Sequence, residues 1–157
     1  MITRVRSALA LFVACHAVGG TVVAQDWPQF FGPERNGRYD GARLAQEWDQ
    51  NGPPVIWSRE VGEGFSGPVI ADGKLILFHR ISNREVVEAF DPITGAGLWR
   101  YDYPTTYRDD FGFDEGPRAV PVIVNGVVYT FGAQGQLHAI ELEAGNGIWN
   151  IDTMEHF

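Results

Sequence analysis

The residues best suited to chemistry fall in one short stretch. Asp109-Asp110-Phe111-Gly112-Phe113-Asp114-Glu115 sets four carboxylates around two aromatic rings and a glycine. Hard carboxylate oxygens on a flexible backbone are what Ca²⁺ takes, so Asp109, Asp110 and Asp114 are candidate metal ligands, though their spacing is not that of an EF-hand. The same run also reads as a partner-binding loop with Tyr107, Phe111 and Phe113 as anchors, or as a plain solvated charged loop. Arg118 follows closely. Its guanidinium carries paired donors that suit a ligand carboxylate, and the competing reading is an ion pair with a nearby acid such as Glu115. His79, His138 and His156 show no metal-ligand cadence. Nothing has the pattern of a nucleophile elbow, a phosphate loop or a dinucleotide fingerprint, so no catalytic residue is assigned.

These residues must be positioned by a repeat. Ala89-Phe90-Asp91-Pro92-Ile93-Thr94-Gly95-Ala96-Gly97-Leu98-Trp99 recurs as Ala139-Ile140-Glu141-Leu142-Glu143-Ala144-Gly145-Asn146-Gly147-Ile148-Trp149, and Pro68-Val69-Ile70-Ala71-Asp72-Gly73 recurs as Pro121-Val122-Ile123-Val124-Asn125-Gly126. Asp-Gly and Asn-Gly between alternating apolar runs are strong hairpin signals, because both central residues of a type I′ turn take positive φ. The first copy reads as strands at 68–71, 74–79, 86–90 and 98–101, with a long loop from His79 to Glu85. The second reads as strands at 122–124, 127–131, 137–141 and 148–151. Four strands at this period are the signature of a propeller blade, which predicts an all-β fold, a β-propeller of four-stranded antiparallel blades. Residues 55–59 (Val-Ile-Trp-Ser-Arg) resemble only the last strand of a blade and are expected to be a closing strand, followed by blades at 66–103 and 117–153. The acidic run then lies in the connection between blades. Two blades and one strand leave open edges, so the chain is expected to be an N-terminal piece of a longer propeller.

The two copies follow AxDxxxGxxxW, the tryptophan-docking motif of the PQQ-like (quinoprotein-type) repeat. Ala89, Asp91, Gly95 and Trp99 match it fully; Ala139, Gly145 and Trp149 match with Glu141 in place of the aspartate. The stretch 26–37, Asp-Trp-Pro-Gln-Phe-Phe-Gly-Pro-Glu-Arg-Asn-Gly, also resembles the opening of secreted bacterial PQQ-like repeat proteins, with Phe31 where that pattern usually has Arg. The resemblance, covering nearly all of 26–157, is to the BamB-like and quinoprotein alcohol dehydrogenase-like propellers. It implies that Trp99 and Trp149 pack between neighbouring blades, and that Asp91 and Glu141 are turn acids. It further implies either a non-catalytic binding or scaffold module or the first part of a periplasmic PQQ-dependent dehydrogenase acting on alcohols or sugars. Only the second would use PQQ and Ca²⁺; Arg118 is then the candidate cofactor contact. Such dehydrogenases often carry a disulfide of adjacent cysteines, and this chain has a single cysteine, Cys15.

Composition agrees with an exported domain. Arg4 and Arg6, an apolar run from Ala8 to Val18, and the small residues Val22 and Ala24 read as a cleaved secretory signal over 1–24, too short to span a bilayer. Phe12-Val13-Ala14-Cys15 resembles a lipobox only loosely, so lipidation at Cys15 is the lesser expectation. Residues 25–54 form an N-terminal extension. The periplasm is the expected compartment, with no transmembrane segment after cleavage. The chain carries 12 basic and 20 acidic residues, net −8. That argues against a nucleic-acid partner and leaves a protein or a small ligand.

Overall fold

The Asp72-Gly73 and Asn125-Gly126 dipeptides decide where each copy turns. All four residues have positive φ, 48° and 70° in the first pair and 51° and 74° in the second. The computed structural model describes residues 25–43 and 45–156; the expected leader at 1–24, with Cys15, lies outside the described residues. Two antiparallel sheets follow in strict sequence order. The first holds β1 (Val69–Ala71), β2 (Lys74–Ile81), β3 (Arg84–Phe90) and β4 (Gly97–Pro104). The second holds β5 (Val122–Val124), β6 (Val127–Phe131), β7 (Gln136–Glu141) and β8 (Gly147–Asp152), ending in one helical turn, α1 (Thr153–His156). The all-β expectation and the two four-stranded blades are therefore met.

Alternation within each strand builds the core. On β2, Ile76 and Phe78 point one way; Val87 and Ala89 beside them on β3 point the same way. They meet Val128, Ile140 and Leu142 of the second blade in a single buried cluster. At both blade ends the strand pairing slips by one residue, between Ala89 and Phe90 and between Ala139 and Ile140. This paired bulge sits where each tryptophan faces its alanine, Trp99 opposite Ala89 and Trp149 opposite Ala139. A bulge re-aims the side chain beside it, and alanine leaves room for the ring.

Trp99 locks the two blades. Its Nε1–H donates to the Leu142 carbonyl at 2.9 Å. Gly145, at φ +73°, lies so close under the indole that a Cβ there would stand 2.6 Å from the ring. Trp57 repeats this contact one blade earlier, donating to the Pro92 carbonyl at 3.0 Å and lying over Gly95. Each docking combines burial of an aromatic face, on the order of 2 kcal/mol, with a directional hydrogen bond of about 1 kcal/mol. The turn under each ring is the same. Gly95 N–H donates to Asp91 O and Gly145 N–H to Glu141 O, both at 2.9 Å. Asp91 ties its turn further, accepting from the backbone N–H groups of Ile93 and Thr94, and those bonds hold its carboxyl below the usual aspartate range. Glu141, one methylene longer, instead accepts from the Asn146 side chain at 2.9 Å.

Residues 55–59 are extended and join no ladder among the described residues; Trp57 fixes them on the first blade, and the blade they were expected to close is not among the described sheets. One expectation of the strand layout is corrected. The expected loop from His79 to Glu85 is mostly strand. β2 and β3 run on to a two-residue turn at Ser82-Asn83, with Ser82 at φ +55°. The extra length of the first copy is thus a taller hairpin. The sequence hid this because His79, Arg80 and Glu85 are polar yet buried.

The N-terminal extension crosses the inner edges of both blades. Trp27 and Ile70 exchange backbone hydrogen bonds at 2.8 and 3.0 Å, and Ile123 N–H donates to the Pro28 carbonyl at 2.8 Å. The innermost strands are thereby tied by one short segment, which also covers otherwise open strand edges.

Gly145→Ala and Gly126→Ala separate the docking contact from backbone strain. Gly126 also has positive φ but open space at its Cβ position. Urea unfolding of Gly126→Ala is expected to show a loss of about 1 kcal/mol, the left-handed penalty alone. Gly145→Ala is expected to lose about 2–4 kcal/mol, because the ring must also be displaced.

Candidate functional site

The connection between blades is held from beneath by a buried arginine. Arg80 lies on the core-facing register of β2 and is 1% exposed. Its Nε–H donates to Ser82 O at 2.7 Å, and Nη1 donates to the carbonyls of Tyr107 and Glu115, each at 2.9 Å. Nη2 pairs with the Glu115 carboxylate at 3.3 Å. One side chain therefore fixes both ends of the acidic run. Glu115 also takes Arg108. The backbone of Arg80 in turn exchanges hydrogen bonds with Glu63 at 2.7 and 2.9 Å, which seats residues 62–65 alongside the loop.

The sequence-derived site residues are used within this loop. Asp109 accepts from Arg118 at 2.9 Å through one oxygen and from Phe113 N–H at 2.7 Å through the other. Asp114 accepts from Gly116 N–H at 2.7 Å. Asp110 is exposed and apart from both. Among the described residues no group of three His, Cys, Asp or Glu side chains converges as a metal site. Arg118 pairs with Asp109 and with the Asp114 carbonyl, an ion pair with a nearby acid, Asp109 in place of Glu115. Its guanidinium lies 5.4 Å from the Tyr107 ring and 5.8 Å from Phe65. Its donors are thus taken up by Asp109 and the Asp114 carbonyl. Of the motif residues, Trp99 docks on Gly145 in the turn that Glu141 begins, Gly95 in the turn that Asp91 begins receives Trp57, and Ala89 and Ala139 stand opposite Trp99 and Trp149 within their sheets. Trp149 is 42% exposed, with Tyr129 tilted 6.0 Å away and no turn docked on it among the described residues.

Polar groups that the sequence reading missed fill the slot between the blades. Tyr103 stacks on His138 at 3.8 Å between ring centroids, and Tyr101 Oη lies 3.0 Å from His138 Nδ1. Burial lowers the His138 pKa to about 4. Burial, with the Glu85 carboxylate adding to it, pushes the Tyr103 phenol far up. Glu85 is fully buried and accepts from Ala133 N–H at 2.7 Å. Its second oxygen, the Tyr103 hydroxyl, Thr130 Oγ1 and His138 Nε2 find no partner among the described residues.

The front face of the first blade has the matching slot. Trp57, Arg59 and Val61 occupy the places that Trp99, Tyr101 and Tyr103 occupy one blade later. Arg59 lies 4.4 Å over Phe90, and the smaller Val61 leaves a cleft of roughly 490 Å³ lined by His79, Glu88 and Arg100. Gly62 N–H donates to His79 Nδ1 at 2.8 Å, so the proton sits on Nε2 and is donated to Glu88 at 3.0 Å. Burial lowers the His79 pKa against the pull of Glu88, keeping the ring neutral. The signal for these groups was ionisable residues set inside otherwise apolar strands, His79 and Arg80 on β2, Glu85 and Glu88 on β3 and His138 on β7.

Comparison with known proteins follows the same lines. Residues 83–157 match the sequence model of a family described as outer membrane protein assembly factor BamB. The BamB of Shewanella oneidensis is 29% identical over 108 residues, 63% of this chain and 27% of that protein. The quinohemoprotein alcohol dehydrogenase of Comamonas testosteroni superposes with a TM-score of 0.56 at 27% identity, over 87% of this chain and 21% of that one. The quinohemoprotein alcohol dehydrogenase ADHIIG of Pseudomonas putida HK5 gives 0.57 at 23% identity, over 83% and 19%, a likeness of fold alone. The chain thus spans about a quarter of the curated relative and about a fifth of the solved structures.

Arg80→Met should free the loop it anchors. Amide hydrogen exchange of residues 105–116 is expected to accelerate by at least tenfold while β7 stays protected. The loss in stability should be about 3–5 kcal/mol, since the Glu115 carboxylate and three carbonyls lose a buried partner. His138 sets a pH dependence. Its folded pKa lies below its unfolded value of about 6.5, so its contribution is intact above that pH and is lost as pH falls toward 4, by up to about 1.4 kcal/mol per unit. Urea midpoints measured from pH 7.5 to 4.5 should fall less steeply in His138→Phe than in the unaltered protein.

Proposed function

We propose that this chain, which is built from PQQ-like β-propeller repeats, is a binding module that presents its interblade loops to a partner, and does not itself oxidise a substrate. One observation carries the reading: apart from exposed Asp110, the ionisable groups of the loop are committed to each other. Arg118 is spent on Asp109, Glu115 on Arg80 and Arg108, and Asp114 on its own turn. Trp57 and the motif tryptophan Trp99 are likewise occupied by glycine turns. What remains available is rigid, aromatic and acidic, which suits recognition more than redox chemistry. The similarity to BamB, an assembly factor by its name, supports a role in protein interaction at the outer membrane and therefore the periplasm as the compartment. Among the described residues no helix is long and apolar enough to cross a membrane.

A second reading rests on the likeness to quinohemoprotein alcohol dehydrogenases, one of them 27% identical. In that case the chain would be the first part of a dehydrogenase using PQQ and Ca²⁺, and its own residues would supply blade packing and Arg118 as a carboxylate contact.

The purified chain should be incubated with PQQ and Ca²⁺, desalted, and assayed for retained quinone absorbance and dye-linked ethanol oxidation. Neither is expected above a blank. Stoichiometric quinone retention that is lost in Arg118→Ala would replace the first reading with the second.

A further inference from the structure

The slot between the blades contains four polar atoms that are buried and have no aligned partner among the described residues. They are Glu85 Oε2, Tyr103 Oη, Thr130 Oγ1 and His138 Nε2. Glu85 is fully buried, and Thr130, His138 and Tyr103 are 1%, 4% and 8% exposed. Each such group is costly alone, and four in one place call for a species that bonds to them.

The four are neighbours. Glu85 faces Tyr103 across the β3–β4 ladder, and Thr130 faces His138 across the β6–β7 ladder. The Tyr103 ring stacks on His138 at 3.8 Å, which joins the two pairs. The Glu85 carboxylate and the Thr130 hydroxyl both lie close enough to act on the Tyr103 phenol. Gly132 makes room for them, since a Cβ there would strike Glu85 Oε2 and stand 2.7 Å from Tyr103 Oη.

Their chemistry is mixed, and that narrows the species. A carboxylate oxygen accepts, the two hydroxyls donate and accept, and His138 Nε2 does one or the other according to which proton Nδ1 shares with Tyr101 Oη, 3.0 Å away. An anion would meet the Glu85 charge, and an apolar group would leave all four atoms unmet. Water donates twice and accepts twice, so it serves every one of them with either tautomer of the ring. Solvent is also near. A surface cavity of roughly 220 Å³ is walled on one side by Gly132 and Ala133. The N–H of the peptide joining those two residues donates to Glu85 at 2.7 Å, so one peptide separates the cavity from the slot.

We propose that this slot is a binding site for internal water, held by Glu85, Tyr103, Thr130 and His138 as part of the contact between the blades. The site goes beyond the binding-module reading and stands whichever functional reading holds, because it lies between two described sheets. Bound there, water completes a polar path from Glu85 on one sheet to His138 on the other. It adds directional bonds beside the Trp99 dock, where stacked rings alone would tolerate sliding.

Oxygen-17 relaxation dispersion of the solvent tests this, because it counts waters that stay inside a protein for longer than the protein takes to tumble. The unaltered chain is expected to hold about one more such water than Thr130→Val, which keeps the shape of the side chain and removes its hydroxyl. Thr130→Ser restores the hydroxyl and should restore the count, a result that a packing role for Thr130 would not produce. Tyr103→Phe, which keeps the stacked ring, should lower the count as Thr130→Val does. The His138 ring proton should also show a rotating-frame Overhauser contact with water in the unaltered chain. Equal counts in the unaltered chain, Thr130→Val and Tyr103→Phe, or no contact between water and the His138 ring, would overturn the proposal.

Discussion

An indole lying flat on a glycine is the contact on which this structure depends. Neither blade can bury both of its faces alone, since four short strands make one sheet with two apolar sides. The ring supplies area and the glycine supplies closeness. The Nε1–H to carbonyl bond fixes which turn receives which ring. Because the bond is to backbone, the turn's side chains are free to vary, as Asp91 and Glu141 do. What cannot vary is the absence of a Cβ at 95 and 145. The spacing of the motif is therefore a record of geometry between sheets, more than of anything within one sheet.

The second constraint is polar and sits deeper. Arg80, Glu85, His79 and His138 are buried at places where an ordinary strand would carry aliphatic residues. Arg80 is rewarded with carbonyl and carboxylate partners; His138 is kept neutral by its surroundings. Burying such groups confers little net stability, but it makes the connection between blades follow one path. The acidic run owes its shape to the arginine beneath it. The same loop on an apolar support would have no fixed ends.

Much of the fold was legible in the sequence because its signals are local and repeated. The Asp-Gly and Asn-Gly turns, the two motif copies and the order of hairpins are each set by residues a few positions apart, and the blades follow. Trp57 was harder. Residues 55–59 match the last strand of a blade, but the Ala and Gly of the motif are missing ahead of it, with Glu47 and Pro53 in their places, and so its docking on Gly95 was not foreseen. The long β2–β3 hairpin was misread as a loop because polarity was taken for exposure at His79, Arg80 and Glu85, and their partners come from residues 62–63, 107, 115 and 133. Site residues fared likewise. Arg118 and Asp109 were singled out by type, but only the folded loop pairs them with each other, and only the folded extension brings Phe30 and Phe31 next to Phe65.

The bond from Ile123 to the Pro28 carbonyl joins points about a hundred residues apart in the chain. A strap of that span can be fastened only after the fifth strand exists, whereas each hairpin closes from its own neighbours. Assembly is then ordered in time, with local sheets first and the strap last, because a long closure carries the greater entropic cost. During synthesis the segment at Trp27 and Pro28 would lack its second anchor for most of that interval. A newly made chain would be most in need of a chaperone at its beginning, long after that beginning had emerged.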